Sequence, residues 1–191
     1  MPAGGKGRFE QAYNAQAAVE IESRLIVGQH VTQDTNDKHQ LVPTVAAIAP
    51  VVATVKEVLI DSGFVTEAAI TQLEHDQTGR PTGLTVLAAV KREHHGRTVA
   101  QLEARPDPSP PPDDAPFLQR LAHRTATRSG RARYKQRQQT VEPVFGIIKA
   151  ALGFRRFLLR GLAKVSLEWA LVCSAYNLKR LHNLKTVIQP A

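Results

Sequence analysis

Two runs near the start of the chain, "AYNAQAAVE" and "RLIVGQHVT", have the residue types of short strands, and a polar link around Ile21 to Ser23 joins them. An antiparallel hairpin is the simplest arrangement for such a pair. After "QDTN", Asn36 or Asp37 can cap a helix whose apolar positions Leu41, Val45 and Ile48 are spaced by four and three, with Pro43 expected to kink or restart it. Val58 to Ile60 form a short apolar run that stops at Asp61-Ser62-Gly63, and Thr66 then opens a helical pattern through Ala69, Ile70 and Leu73. The order is strand, turn, helix. "LTVLAAV", Leu84 to Val90, reads as a second interior strand, since continuous apolar strands are usually covered on both faces. Alternating strands and helices predict an α/β sheet.

From Arg97 to about Pro116 the periodicity disappears and "RPDPSPPPDDAP" carries six prolines, so 97–116 reads as an irregular insertion within one domain of 191 residues. Two helices are predicted beyond it. The first spans about Ala132 to Leu152, with Val141, Phe145, Ile148 and Leu152 on its apolar face and Pro143 as a bend. The second spans about Leu162 to Leu181, with Leu162, Val165, Trp169, Val172 and Tyr176 as the buried stripe.

Charge changes this picture. The formal net charge is +8, which suits an anionic partner, nucleic acid being the commonest. Between Asp114 and Glu168 there are twelve Lys and Arg residues and one acid, Glu142. The only cysteine, Cys173, lies in an apolar helical pattern, which excludes a disulfide framework and fits a reducing compartment such as the cytoplasm. The opening residues lack the apolar core of a signal peptide. The longest apolar run, Leu41 to Val55, is too short to span a bilayer and is broken by Pro43 and Pro50, so no membrane role is expected.

Two carboxylates stand out. Asp61 follows an interior strand, at the sheet edge where α/β proteins bind ligands, although Asp before Ser-Gly is also ordinary turn chemistry. Glu142 is either a surface acid held by neighbouring arginines or a functional carboxylate set among bases that hold phosphates. Carboxylates in a basic groove have a chemical use: oxygen ligands gather divalent cations while the bases hold a phosphodiester backbone. His94 and His95 are adjacent and have no second ligand pair spaced to join them, so they read as loop residues.

"AYNAQAAVEIESRLIVGQHVTQDTNDKHQL", "VLIDSGFVTEAAITQLE" and "RYKQRQQTVEPVFGIIKAALGFRRFLLRGLAKVSLEWALVCSAYNLKRL" resemble, in that order, the carboxyl-terminal part of the DDE transposases of bacterial insertion sequences. The similarity runs from about Phe9 to Leu184. It implies a ribonuclease-H-like mixed sheet flanked by helices, and metal-dependent cleavage and strand transfer of phosphodiester bonds at insertion-sequence ends. The implied cofactor is Mg²⁺ or Mn²⁺ in a two-metal site. The implied partners are the double-stranded DNA of those ends and a second copy of the chain in a homodimer, in a bacterial, nucleoid-associated setting.

On residues, the resemblance places the second catalytic aspartate on Asp61 of "IDSGF" and the catalytic glutamate on Glu142 of "TVEPVFG", both as metal ligands. Tyr134, Arg137 and Lys149 match the family's DNA-contacting signature, with the gap from Arg137 to Glu142 one residue longer than usual. Arg155, Arg156 and Arg160 adjoin Lys149 and extend the expected DNA contact.

The family's first catalytic aspartate belongs to a strand before the hairpin, whereas no Asp precedes Asp34 in this chain, and Asp34 and Asp37 fall after the hairpin. The expectation is therefore a fold lacking its first strand, and a truncated enzyme or the downstream part of a split gene. The alternative is a non-catalytic DNA-binding remnant that competes or dimerises with a full-length transposase.

Overall fold

The computed structural model describes residues 12–50, 54–90 and 106–188. His94, His95 and positions 97–105 of the expected insertion lie outside the described residues. The fold is mixed α/β, and the chain divides into two compact units, one formed by 1–53 with 140–191 and the other by 54–139. The strands make two separate two-stranded sheets, one in each unit.

The first unit opens with the predicted hairpin. Strands β1 (Asn14–Val19) and β2 (Ile26–Thr32) pair antiparallel from Asn14 opposite Thr32 to Val19 opposite Ile26, with an irregularity between Ala18 and Val19. A two-stranded sheet has too little apolar face to stand alone, so the hairpin needs a helix against it. That helix is α5 (Leu162–Ile188). Ile26 is buried with Trp169, Cys173 and Tyr176 of α5 and with Val144 and Ile148 of α4 (Arg128–Ala150). Burial pushes the Cys173 thiol up to about 12, so it stays protonated at neutral pH and acts as a small apolar residue.

Polar groups on α5 fix the register of hairpin against helix. Asn177 accepts from the Ile26 amide at 2.9 Å and donates to its carbonyl at 2.8 Å, as a neighbouring strand would. Trp169 Nε1 donates to the Gln16 carbonyl at 2.9 Å, Tyr176 Oη to that of Arg24 at 2.9 Å, and Arg180 Nε to that of Ser23 at 2.7 Å. Five backbone groups of the hairpin residues and their turn are thereby satisfied, as a buried edge requires.

Three sequence expectations shift by local amounts. Helix α1 spans Leu41–Ala46 with Gln40 at its N-cap and no side-chain cap bond; Asn36 instead accepts from the amide of Lys38. Pro43 falls within the first turn, where its missing N–H has no intrahelical partner to lose. On α4, Val144 and Ile148 are the fully buried pair, while Phe145 is only partly buried. On α5, Leu162 is 41% exposed and Cys173 takes a place in the buried stripe.

The second unit is a strand, helix, strand arrangement as the periodicity predicts. Strand β3 (Glu57–Ile60) and strand β4 (Thr85–Ala88) pair in parallel, Glu57 opposite Thr85 through Ile60 opposite Ala88. Helix α2 (Glu67–Glu74) lies between them in sequence, and Thr66 caps it by accepting from the Ala69 amide. Ile70 of α2 is buried, as are Ile60, Val86, Leu87 and Ala88 of the strands, and α2 lies against β4.

A helix the periodicity did not announce, α3 (Phe117–Ala126), covers β4 and buries Leu121. It also carries Arg124, whose guanidinium grips the buried Glu74 carboxylate at 2.5 and 3.1 Å while Glu74 accepts from the Val86 amide at 2.9 Å. One ionic knot thus joins α2, β4 and α3. The part of the insertion that is described, 106–116, has no regular structure beyond a turn at 113–114.

Candidate functional site

Asp61 is the first residue after β3. Its backbone is extended, at φ −77° and ψ 160°, and its side chain caps the single 3-10 turn Ser62–Phe64 by accepting from the Ser62 amide at 2.8 Å. The other carboxylate oxygen, Oδ2, lies 3.1 Å from a terminal guanidinium nitrogen of Arg137. The side chain is 55% exposed, so the acid stands at the carboxyl end of the strand with one side open to solvent.

Three residues of α4 reach β3 in sequence order. Arg133 donates through Nε to Glu57 Oε1 at 2.9 Å, with its terminal nitrogen at 2.6 Å from the same oxygen. Tyr134 Oη donates to the Ile60 carbonyl at 3.0 Å, and Arg137 meets Asp61. Burial raises the Tyr134 phenol above its ordinary range, so it remains a donor throughout neutral conditions. The structure therefore brings together three of the residues singled out in the sequence, Asp61, Tyr134 and Arg137.

The basic excess of the segment is smaller than the sequence suggests. Arg124 neutralises Glu74, Arg133 pairs with Glu57, Arg137 with Asp61, and Arg131 lies 4.0 Å from Asp107. Arg120 donates to the carbonyl of Ala115. The acids come from distant positions, which is why a local count of charge missed them.

The remaining candidates belong to the other unit. Glu142 and Lys149 are exposed on α4, seven residues apart and so nearly on one helical line. Gly146 lies between them, and a Cβ built there meets nothing within 4 Å, which leaves bare backbone between the acid and the base. No neighbour and no positive φ requires glycine at that position. Gly146→Ala should raise stability by about 1 kcal/mol, the usual gain in a helix interior, read from denaturant unfolding. If this face meets DNA closely, the same change lowers DNA affinity while stability rises.

Beyond α4, the stretch 153–161 alternates inward aromatics with outward bases. Gly153, at φ 71°, ends the helix, and the amide of Phe154 returns to the Ile148 carbonyl at 3.1 Å. Phe154 and Phe157 pack edge to face at 5.3 Å and both approach Trp169, at 6.2 and 6.4 Å between ring centres. Glu168 accepts from the amides of Leu158 and Leu159 at 2.9 and 3.0 Å, and Tyr13 Oη accepts from the amide of Gly161 at 2.9 Å. Arg155, Arg156 and Arg160 are left exposed on a firmly anchored loop.

Asp34 and Asp37 have structural tasks. Asp37 Oδ1 accepts from Asn14 and Gln16 side-chain amides at 2.8 and 2.7 Å, which ties the loop after the hairpin to β1, and Asp34 Oδ2 accepts from the Gln40 side-chain amide at 2.5 Å, which ties it to the start of α1.

Residues 114–182 match the family model of the transposase DDE domain. This segment is similar to the DDE domain of transposases. It contains Tyr134, Arg137, Glu142, Lys149, Arg155, Arg156 and Arg160, whereas Asp61 lies outside it. No curated protein and no solved structure matches the chain. DDE transposases act on DNA and in general use divalent metal ions. Among the described residues of this chain, no group of three or more His, Cys, Asp or Glu could hold a metal ion, and no helix is long and apolar enough to cross a membrane. Asp61 fits such an ion as a single ligand: a carboxylate offers about four lone-pair positions, and the Ser62 amide and Arg137 engage one on each oxygen.

Proposed function

We propose that this chain takes part in DNA transposition through a ribonuclease-H-like fold, with Asp61 and Glu142 as metal-ligating acids in the cleavage and joining of phosphodiester bonds at insertion-sequence ends. The observation that carries the reading is the family match across 114–182, with Glu142 in "TVEPVFG" inside it. The position of Asp61 at the carboxyl end of β3, after an apolar strand and before Ser-Gly-Phe, supports its assignment as the companion acid.

Each residue then has a task. Asp61 and Glu142 would hold Mg²⁺ or Mn²⁺, which when bound supplies Lewis acidity at a phosphoryl group. Lys149 stands one helical line from Glu142 and takes a phosphate as a point charge, while Arg155, Arg156 and Arg160 hold the backbone farther along. Tyr134 fixes α4 against the end of β3 through the Ile60 carbonyl.

The test is Mn²⁺ binding, followed by electron paramagnetic resonance in the presence of duplex DNA, in Asp61→Asn, Glu142→Gln and the double variant. Each single change is expected to weaken binding on the order of tenfold, because affinity for hard cations follows the count of charged oxygen ligands. Acids that share one site give a double variant weaker by less than the product of the two single effects. Mn²⁺ binding indifferent to both changes, with DNA binding retained, would instead establish a DNA-binding chain without this catalytic role.

A further inference from the structure

We propose that Arg137 is a positioning residue that exchanges between Asp61 and a DNA phosphate, so that DNA binding frees Asp61 for a divalent cation. The inference rests on the reading of Asp61 as a metal ligand and adds to it the rule that sets when the ligand is available.

The three contacts between α4 and β3 differ in kind. Tyr134 is half-buried and its hydroxyl bonds a backbone carbonyl. Arg133 meets Glu57 with two nitrogens at 2.9 and 2.6 Å, and the Glu57 side chain is 24% exposed. Arg137 meets Asp61 through one nitrogen at 3.1 Å, on a carboxylate 55% exposed. The first two hold helix against strand. The third is the pair whose carboxylate is open to solvent; the Arg137 side chain is 21% exposed, and an ion pair with a solvent-open partner contributes little to stability, so it can exchange partners.

A guanidinium presents five donors and suits phosphate and carboxylate equally well. Where it sits, its charge repels any cation approaching Asp61 Oδ2 and its donors take up that oxygen's lone pairs. A phosphate arriving beside α4 offers Arg137 a doubly oxygenated anion in exchange. The move removes a positive charge from Asp61 and leaves its second oxygen open, while the Ser62 amide still holds Oδ1 and keeps the carboxylate oriented. Linkage makes the effect reciprocal: cation at Asp61 strengthens the hold of Arg137 on DNA by the same factor.

The full chain is titrated with Mn²⁺, by electron paramagnetic resonance, with and without a short duplex oligonucleotide. In the wild type, duplex should tighten Mn²⁺ binding. Arg137→Gln should tighten it on the order of tenfold without any DNA, as loss of a like charge beside the ligand predicts, and should shrink the further gain on adding duplex. Arg137→Lys keeps the charge and should stay close to wild type without DNA. Arg133→Gln, which removes a neighbouring charge from the same helix, should change affinity much less than Arg137→Gln. Asp61→Asn in the Arg137→Gln background should cancel the gain.

Wild-type Mn²⁺ affinity independent of duplex overturns the exchange, and that arm needs no variant to fold. So does an Arg137→Gln chain that binds Mn²⁺ no better than wild type while Asp61→Asn still weakens it. If Asp61→Asn is without effect in every background, the assignment of Asp61 as a ligand fails, and the exchange with it.

Discussion

Replacing Trp169 with alanine lowers the unfolding free energy by about 4 kcal/mol, within the range for removing a large buried aromatic. The indole is 2% exposed and sits where three parts of its unit meet. Phe145 of α4 stacks on it at 6.0 Å and 18°, Phe154 and Phe157 of the basic loop approach it from the other side, and Nε1 serves the Gln16 carbonyl of β1. Alanine leaves a cavity, three aromatic rings without their common neighbour and a carbonyl without its donor. Trp169→Phe keeps a six-membered ring among these aromatics but loses the N–H donor and the volume of the fused ring, at a cost of about 1–3 kcal/mol. Urea unfolding followed by circular dichroism measures both. A loss below about 1 kcal/mol in the alanine variant, the level of a surface substitution, would mean that Trp169 does not organise this core.

The same residue shows what a sequence can disclose. A period of 3.6 placed Trp169, Val165 and Tyr176 on one face of α5, and all three are buried. The hairpin, the positions of strands β3 and β4 and the helix opened by Thr66 were legible for the same reason, each being set by residues close together in the chain; the expected interior place of those strands was not, since they pair only with each other. On α4 the period was correct and the face was off by about one position. Val141, Phe145, Ile148 and Leu152 form one apolar stripe, and Val144 with Ile148 begins an overlapping one. The choice between them belongs to the elements that α4 packs against, Ile26 and α5 among them. Helix α3 escaped notice because its apolar positions are few and follow a run of prolines.

The candidate site was legible as residue types and not as partners. Asp61 could be placed at a strand end from "VLIDSGF" alone. That Arg137, 76 positions later, pairs with it could not, nor could the pairing of Arg124 with Glu74 across 50 positions. Ion pairs across such separations leave no periodic trace, and they change the meaning of the basic segment. Its amino-terminal arginines largely balance acids inside their own unit, whereas the loop from 153 to 161 keeps its charge outward. Position in the fold, more than the count of bases, decides which of them can serve DNA.

The loop therefore carries the second large effect. Replacing Arg155, Arg156 and Arg160 together with alanine should reduce the slope of log affinity for duplex DNA against log salt by about 2.7, three phosphate contacts at about 0.9 each. All three side chains are exposed, and among the described residues no ion pair ties them to a carboxylate. Their backbone is held by groups the substitutions leave alone: Phe154 and Phe157 against Trp169, and Glu168 on the amides of Leu158 and Leu159. The fold should survive, so a changed slope reports charge and not unfolding. Arg133→Ala is the matched control, because that arginine already spends its charge on Glu57 and its loss should shift the slope far less. Binding measured by fluorescence anisotropy over a salt series distinguishes the outcomes. A slope unchanged in the triple variant would assign these arginines to solvent. A slope that falls equally in Arg133→Ala would mean that DNA reads the net charge of the chain and not this loop.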